Sequence, residues 1–333
     1  MASKLVSQVL HHEEGERGTT TSIVGTPGTG KTSLLYFLAQ ASVCREDGGD
    51  WEPETVMIRG RPLDLWFSLL HPEYDYYGGT VPEKPIKVFF HVMDAPLFHD
   101  SKNRIRFDKS LLGYYSNVPD LLKKIVRGGI NIVYEPRGFK VTDAVQRRIL
   151  QKSFLKSSVF ENVDQHDPTI FWFEVFAYLI SRGDREYMTV IIDEADDVLP
   201  SDPSSLRWHL QNWMRETVRD LRKCKISLVF AAHNKDDVDY RIFKKCMYRI
   251  WMPGAMVSKD SLIPLDHTIW LPKGVFTIVH GQYGDATFPK IVPYKQITVA
   301  FLNDDFHRQW HEEEEAAEQM ANILPKKEED KID

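Results

Sequence analysis

TTTSIVGTPGTGKT, residues 19–32, sets a short β-branched and apolar run directly before a glycine-rich turn. Thr21 to Val24 has the composition of a buried strand. Gly25 to Thr32 fits G-x-x-x-x-G-K-[ST], and Leu34, Leu35, Phe37 and Leu38 follow at helical spacing. Strand, glycine loop and helix form the context in which such a loop cradles phosphate. Glycines let the backbone curl so that successive N–H groups face one point. The helix N-terminus adds partial positive charge at the same place. This reading assigns Gly25, Thr26, Pro27, Gly28, Thr29, Gly30, Lys31, Thr32 and Ser33 to the binding of a nucleotide's phosphates. Lys31 is placed to reach the β- and γ-phosphates, and the Thr32 hydroxyl to ligate Mg²⁺.

MTVIIDEADD, residues 188–197, supplies the second half of such a site. Its apolar run ends in Asp193, at the C-terminal end of a predicted buried strand, where open α/β sheets bind ligands. An aspartate there suits Mg²⁺. Glu194, one residue on, suits the polarisation of the water that attacks the γ-phosphate. Asp196 and Asp197 read as solvated or helix-capping residues. The next strand, ISLVFAA, ends in His233-Asn234. Asn234 is the favoured residue to hydrogen-bond the phosphate or the water; the role of His233 stays open. In oligomeric P-loop motors a neighbour's arginine stabilises transition-state charge. Arg215, Arg219 and Arg222, on the helix before this strand, are the foremost candidates, with Lys223, Arg241 and Arg249 nearby. Taken singly, each reads as a solvated or ion-paired residue.

The chain has 333 residues, 42% of them hydrophobic and 12% aromatic, enough for one large α/β domain or two smaller ones. A formal charge of −6 excludes a uniformly basic nucleic-acid binder but leaves room for a local basic loop. Cys44, Cys224 and Cys246 are widely spaced, form no C-x-x-C pair and indicate neither a disulfide framework nor a zinc knuckle. No signal-like leader and no run of membrane-spanning length occurs, so the expectation is a soluble protein acting in the cytoplasm. G-x-S-x-G and H-E-x-x-H are absent, and the twelve histidines show no metal spacing.

Along the chain, residues 1–18 read as an N-terminal arm, 19–303 as the nucleotide-binding domain and 304–333 as a charged helix and tail. Residues 44–84, rich in Gly, Pro, Asp and Glu, read as an irregular insertion with a helical turn or two near Leu63–Leu70. Strands are predicted at 86–93, 130–134, 188–192, 226–232 and 248–252, and a run of short strands, TIWL among them, over 268–300. Helices are predicted from near Pro119, in two pieces over 140–185, and over 206–223, where Leu206, Leu210, Trp213, Met214, Val218 and Leu221 form one face. Strands alternating with helices predict an α/β fold with a mostly parallel sheet.

GTPGTGKT, IIDEADDVLP and SLVFAAHNKDDVDYRIFKKCMYRIWMPG together resemble the additional-strand, catalytic-glutamate (ASCE) P-loop ATPases. The resemblance implies a RecA-like core, ATP and Mg²⁺ as cofactors, and hydrolysis. Two branches compete. The P-loop and the segment AAHNKDDVDYRIF look like those of AAA+ ATPases, which would imply a protein remodeller or a regulator with a helical lid. The late arrival of Asp193, with IKVFFHVM and INIVYEP between the two motifs, is similar instead to the FtsK–HerA superfamily and its viral packaging and Zot-like relatives. So is the stretch from DEADDVLP through the long helix, its basic turn and the following strand. That branch is favoured. It implies a homo-oligomeric ring, a hexamer by expectation, that moves double-stranded DNA without spanning a membrane. Lys102–Arg106, Arg137, Lys140, Arg147 and Arg148 are the candidate DNA contacts. One residue departs from the FtsK–HerA pattern: a glutamine usually ends the strand that here ends in His233-Asn234. A third alternative is an ATP-dependent switch with low turnover.

Overall fold

In the computed structural model the described residues are 18–43, 54–62, 64, 66, 86–94, 96–100, 109–137, 142–153, 168–182, 186–201, 205–257, 261–288 and 297–301. In chain order the strands are β1 (Thr20–Val24), β2 (Thr55–Gly60), β3 (Ile86–His91), β4 (Pro96–Asp100), β5 (Leu112–Tyr115), β6 (Ile130–Tyr134), β7 (Met188–Ile192), β8 (Ile226–Ala232), β9 (Tyr248–Trp251), β10 (Val275–His280), β11 (Gln282–Thr287) and β12 (Ile297–Phe301). The helices are α1 (Lys31–Val43), α2 (Val118–Lys124), α3 (Asp143–Ser153), α4 (Pro168–Ser181), α5 (Ser205–Lys223) and the short α6 (Tyr240–Phe243).

Ten strands form one sheet in the order β11-β10-β9-β1-β8-β7-β2-β6-β3-β5. Pairing is parallel from β9 through to β5. The β10–β11 hairpin closes one edge antiparallel. β12 and β4 make a separate two-stranded antiparallel sheet. The fold is the predicted α/β class, a mostly parallel sheet flanked by helices with added C-terminal strands. β8 lies between β1, which leads into the glycine loop, and β7, which leads into the acidic motif.

Side chains alternate across this sheet, so each strand feeds two cores. Val190 and Ile192 of β7, with Leu228 and Phe230 of β8, join the core formed with α4 and α5. Ile191, Val229 and Ala231 point the other way, into the core around Leu34, Leu35 and Leu38 of α1. Helix α4 is buried nearly all round, as its run IFWFEVFA requires. On α5 the residues Leu210, Trp213, Met214, Val218 and Leu221 are buried, as their spacing predicts. Asn117 caps α2 through its side chain, with Pro119 in the first turn.

Three local expectations change. The stretch 44–84 is not wholly irregular: Thr55–Gly60 is a fully buried strand, β2, between β7 and β6. Residues 112–115 form the edge strand β5. TIWL is not a strand, because His267–Trp270 is a 3₁₀ turn. The expectations for residues 1–17, most of 63–70, the basic loop 102–106 and 304–333 fall outside the described residues.

Candidate functional site

Parallel register decides where the polar groups leave the sheet. Val24 pairs with Ala232 and with Trp251, and Ile192 pairs with Phe230. Gly25, His233 and Asp193 therefore emerge together at the carboxyl edge.

Close packing selects the first glycine of the loop. A Cβ on Gly25 would stand 2.4 Å from Met252 Cβ. The Thr26 carbonyl accepts from Thr29 Oγ1 at 2.8 Å and closes the turn. Gly30 sits at φ 99°, a region that side chains disfavour. The Leu34 N–H donates to Gly30 O at 2.9 Å, so α1 begins inside the loop. Its first N–H groups have no partner within the helix and face the loop, which suits an anion.

Lys31 crosses the mouth of this loop. Its Nζ donates to Gly25 O at 2.6 Å, to Thr26 O at 3.3 Å and to His233 Nδ1 at 3.0 Å. The three ammonium protons thus have three partners, and His233 accepts through Nδ1, which leaves the ring proton on Nε2. Burial pushes the Lys31 ammonium below its ordinary value, against the pull of Asp193 and Glu194.

Thr32 Oγ1 donates to Asp193 Oδ2 at 2.8 Å. The other oxygen, Oδ1, accepts from the Glu194 N–H at 3.0 Å. Asp193 is 5% exposed. Burial raises its carboxyl above the usual range; the bonds from Thr32 and Glu194 work against that rise. A hydroxyl and a carboxylate converging on one point, both hard oxygen donors, fit Mg²⁺.

Glu194 adopts a left-handed backbone, φ 47° and ψ 65°, costly for a residue with a Cβ. Two arginines meet it. Arg61 Nη1 forms an ion pair with Glu194 Oε2, and its Nε approaches Asp197 Oδ2 at 3.4 Å. Arg59, 2% exposed, donates from Nη1 to the Glu194 carbonyl at 3.1 Å. Its Nε and Nη2 grip both oxygens of Glu135, at 3.0 and 2.8 Å. Trp172 Nε1 also donates to Glu135, at 2.8 Å. Arg59 Nη2 reaches Asp197 Oδ2 at 3.1 Å, so Asp197 is an ion-pair partner rather than a merely solvated acid. Arg59, Arg61 and Glu135 escaped the sequence reading. The available signal was an arginine inside the apolar run TVMIRG, and the glutamate of INIVYEP, which reads only as a strand stop.

The remaining candidates fall in different places. The contact with Lys31 is made by His233, whereas the Asn234 N–H donates to Asp237 Oδ2 at 2.8 Å and begins the next turn. Arg215 is committed within the chain, its Nε on Asp239 Oδ2 at 2.8 Å and its Nη1 on Asn212. Arg222 Nε donates to Gly18 O at 3.2 Å, ahead of β1 and so at the sheet edge opposite the glycine loop. Arg219 is exposed on α5. Among the DNA candidates, Arg148 is paired with the buried Glu174, Arg147 is exposed, and the Arg137 guanidinium lies over the Phe301 ring at 5.3 Å. Lys140 lies outside the described residues. No helix among the described residues is long and apolar enough to cross a membrane.

No protein-family model and no curated protein matches the chain. Solved structures do. The genome packaging NTPase of Sulfolobus turreted icosahedral virus 2, in complex with AMPPCP, is 11% identical over 84% of this chain and 100% of its own, with a TM-score of 0.44. The N-terminal domain of zonular occludens toxin from Neisseria meningitidis is 13% identical over 87% of this chain and 95% of its own, with a TM-score of 0.30. The pCW3 conjugation coupling protein TcpA, with ATPgS, is 14% identical over 82% of this chain and 60% of its own, with a TM-score of 0.37.

Proposed function

We propose that the chain is a Mg²⁺-dependent ATPase, and that hydrolysis drives a homo-oligomeric ring which moves double-stranded DNA. One observation carries the ATPase reading: the bond from Thr32 to Asp193 joins the glycine loop and the acidic strand into a single cleft. In that cleft Gly25 to Ser33 hold the triphosphate, Lys31 its β- and γ-phosphates, and Thr32 and Asp193 the metal. The metal supplies charge neutralisation on the phosphates. Glu194 accepts the proton of the attacking water, and His233, already on Lys31, stands where a donor can meet the γ-phosphate. ATP is taken as the substrate on the sequence resemblance to the ASCE ATPases. Asn234-Lys235-Asp236-Asp237 fits the guanine-reading pattern Asn/Thr-Lys-x-Asp, but its Asp237 carboxylate accepts from the Asn234 N–H at 2.8 Å within the turn after β8. The motor and its DNA rest on the sequence resemblance to the FtsK–HerA superfamily, with residues 19–303 as the motor domain, flanked by an arm and a charged tail. The AAA+ alternative calls for a helical lid after the strand that ends in His233-Asn234, and the segment after β9 instead supplies the β10–β11 hairpin.

The test is phosphate release from Mg·ATP with and without duplex DNA, on the parent protein and on Glu194→Gln. Hydrolysis that rises with DNA and is lost in the variant supports the reading. Hydrolysis unchanged by Glu194→Gln removes the catalytic assignment. No response to DNA from a protein that stays monomeric removes the motor.

A further inference from the structure

Arg59 is a full positive charge on a central strand, and burial alone would argue against its being there. Its environment explains the charge. Burial opposes it, but Glu135 and Asp197 more than offset the opposition and hold the guanidinium above its ordinary value. Strand register brings these groups together. Ile58 of β2 pairs with Ile191 of β7, which sets Arg59 beside Ile192 and the acidic turn that follows. On the other side Gly60 pairs with Tyr134 of β6, the residue before Glu135. Glu135 takes both donors of the guanidinium's near edge and is itself held by Trp172, whose ring is fully buried in α4. The arginine is therefore fixed at one end before it touches the site. Its far nitrogen, Nη1, points at the backbone of the acidic turn and donates to the carbonyls of Glu194, at 3.1 Å, and Asp193, at 3.4 Å. Those carbonyls belong to the turn in which Glu194 takes its left-handed conformation, which needs outside support to persist.

We infer that Arg59, braced by Glu135 and Trp172, is a positioning residue that locks the Asp193–Glu194 turn and so aims the Glu194 carboxylate. It does not touch nucleotide. A planar fork is required, because one face must bind a carboxylate through two bonds while the remaining nitrogen holds carbonyls, and lysine offers no such geometry. The inference rests on the ATPase reading above and adds to it the part that sets the direction of the water-activating group.

The experiment compares the parent, Arg59→Met, Arg59→Lys, Glu135→Gln and Glu194→Gln for fluorescent ATP binding and for single-turnover hydrolysis. Arg59→Met and Arg59→Lys are expected to hold nucleotide within about threefold of the parent Kd while hydrolysis falls roughly 100-fold. Glu135→Gln, which leaves the arginine in place and keeps side-chain size, is expected to lose roughly tenfold in hydrolysis with unchanged binding. It keeps the question open to test should an Arg59 variant fail to fold. In a Glu194→Gln background, Arg59→Lys is expected to change the residual rate less than twofold, because its effect passes through Glu194. A purely structural role would instead weaken binding and hydrolysis together and add to Glu194→Gln. Hydrolysis by Arg59→Lys and Glu135→Gln within threefold of the parent overturns this inference and leaves the ATPase reading standing. A parent protein that hydrolyses no ATP removes that reading and this inference with it.

Discussion

Thr32 Oγ1 and Asp193 Oδ2 stand 2.8 Å apart although 161 positions separate them in the chain. Neither residue on its own makes a metal site. Their meeting depends on β8 lying between β1 and β7, so that the loop after one strand and the turn after the other face each other. Thr32→Val and Asp193→Asn each remove one hard oxygen donor or its charge. Both are expected to raise the Mg²⁺ concentration needed for half-maximal hydrolysis about tenfold or more, a loss of roughly 1.4 kcal/mol. Binding of metal-free ATP should change little in Thr32→Val. Titration of Mg²⁺ at fixed ATP reads both effects, and equal metal dependence in parent and variants would sink the assignment.

Lys31 is held by two loop carbonyls and by His233. A bound phosphate takes one of those three protons, and His233 is the partner best placed to follow it. His233→Ala is expected to lower hydrolysis about 10–100-fold with ATP binding within threefold, and Asn234→Ala to lower it less than threefold. The reverse ranking would return the role to Asn234, the residue that the sequence favours.

The glycine loop, Lys31, Thr32, Asp193 and Glu194 were legible because each obeys a local pattern: a strand, then a turn whose residue types have one physical use. The same holds for β6, β7, β8 and α5, where apolar spacing alone sets the period. The layer that supports the site was not legible. Arg59 and Glu135 are distant in sequence and meet only because β2 and β6 are neighbours, and β2 itself is short, flanked by turn-forming residues and marked by a charge. His233 could not be ranked over Asn234, since adjacent residues at a strand end point in different directions and only the register shows which one faces Lys31.

Asp64 lies close to Asp193, and burial together with that like charge pushes its carboxyl up to about 7, against Arg61. A carboxyl raised in the folded state binds a proton that the unfolded chain has already lost. Its ionisation therefore costs stability progressively as pH rises from about 4 through 7, above which the loss is complete. Asp64→Asn removes that cost. It is expected to stabilise the protein by about 1–2 kcal/mol at pH 8, allowing for partial solvent screening, and to leave stability unchanged at pH 4. Urea denaturation at the two pH values checks both the sign and the window. A variant less stable than the parent at pH 8 would show that the carboxylate is favourably paired.

Arg148 is among the basic residues that the sequence offers for DNA contact, yet its Nε is spent on Glu174, whose side chain is fully buried between α3 and the core. Burial raises the Glu174 carboxyl, and Arg148 pulls it back toward ionisation. Cutting away the arginine leaves that carboxyl without its charge partner. Arg148→Ala is thus expected to cost about 3 kcal/mol or more in urea unfolding at pH 7.5, a loss that the double variant Arg148→Leu/Glu174→Leu largely recovers. DNA-stimulated hydrolysis by the double variant should match the parent, since the Arg148 guanidinium is tied through Nε to the fully buried Glu174. Normal stability of Arg148→Ala combined with lost DNA stimulation would reverse this assignment and restore Arg148 to the DNA-binding surface.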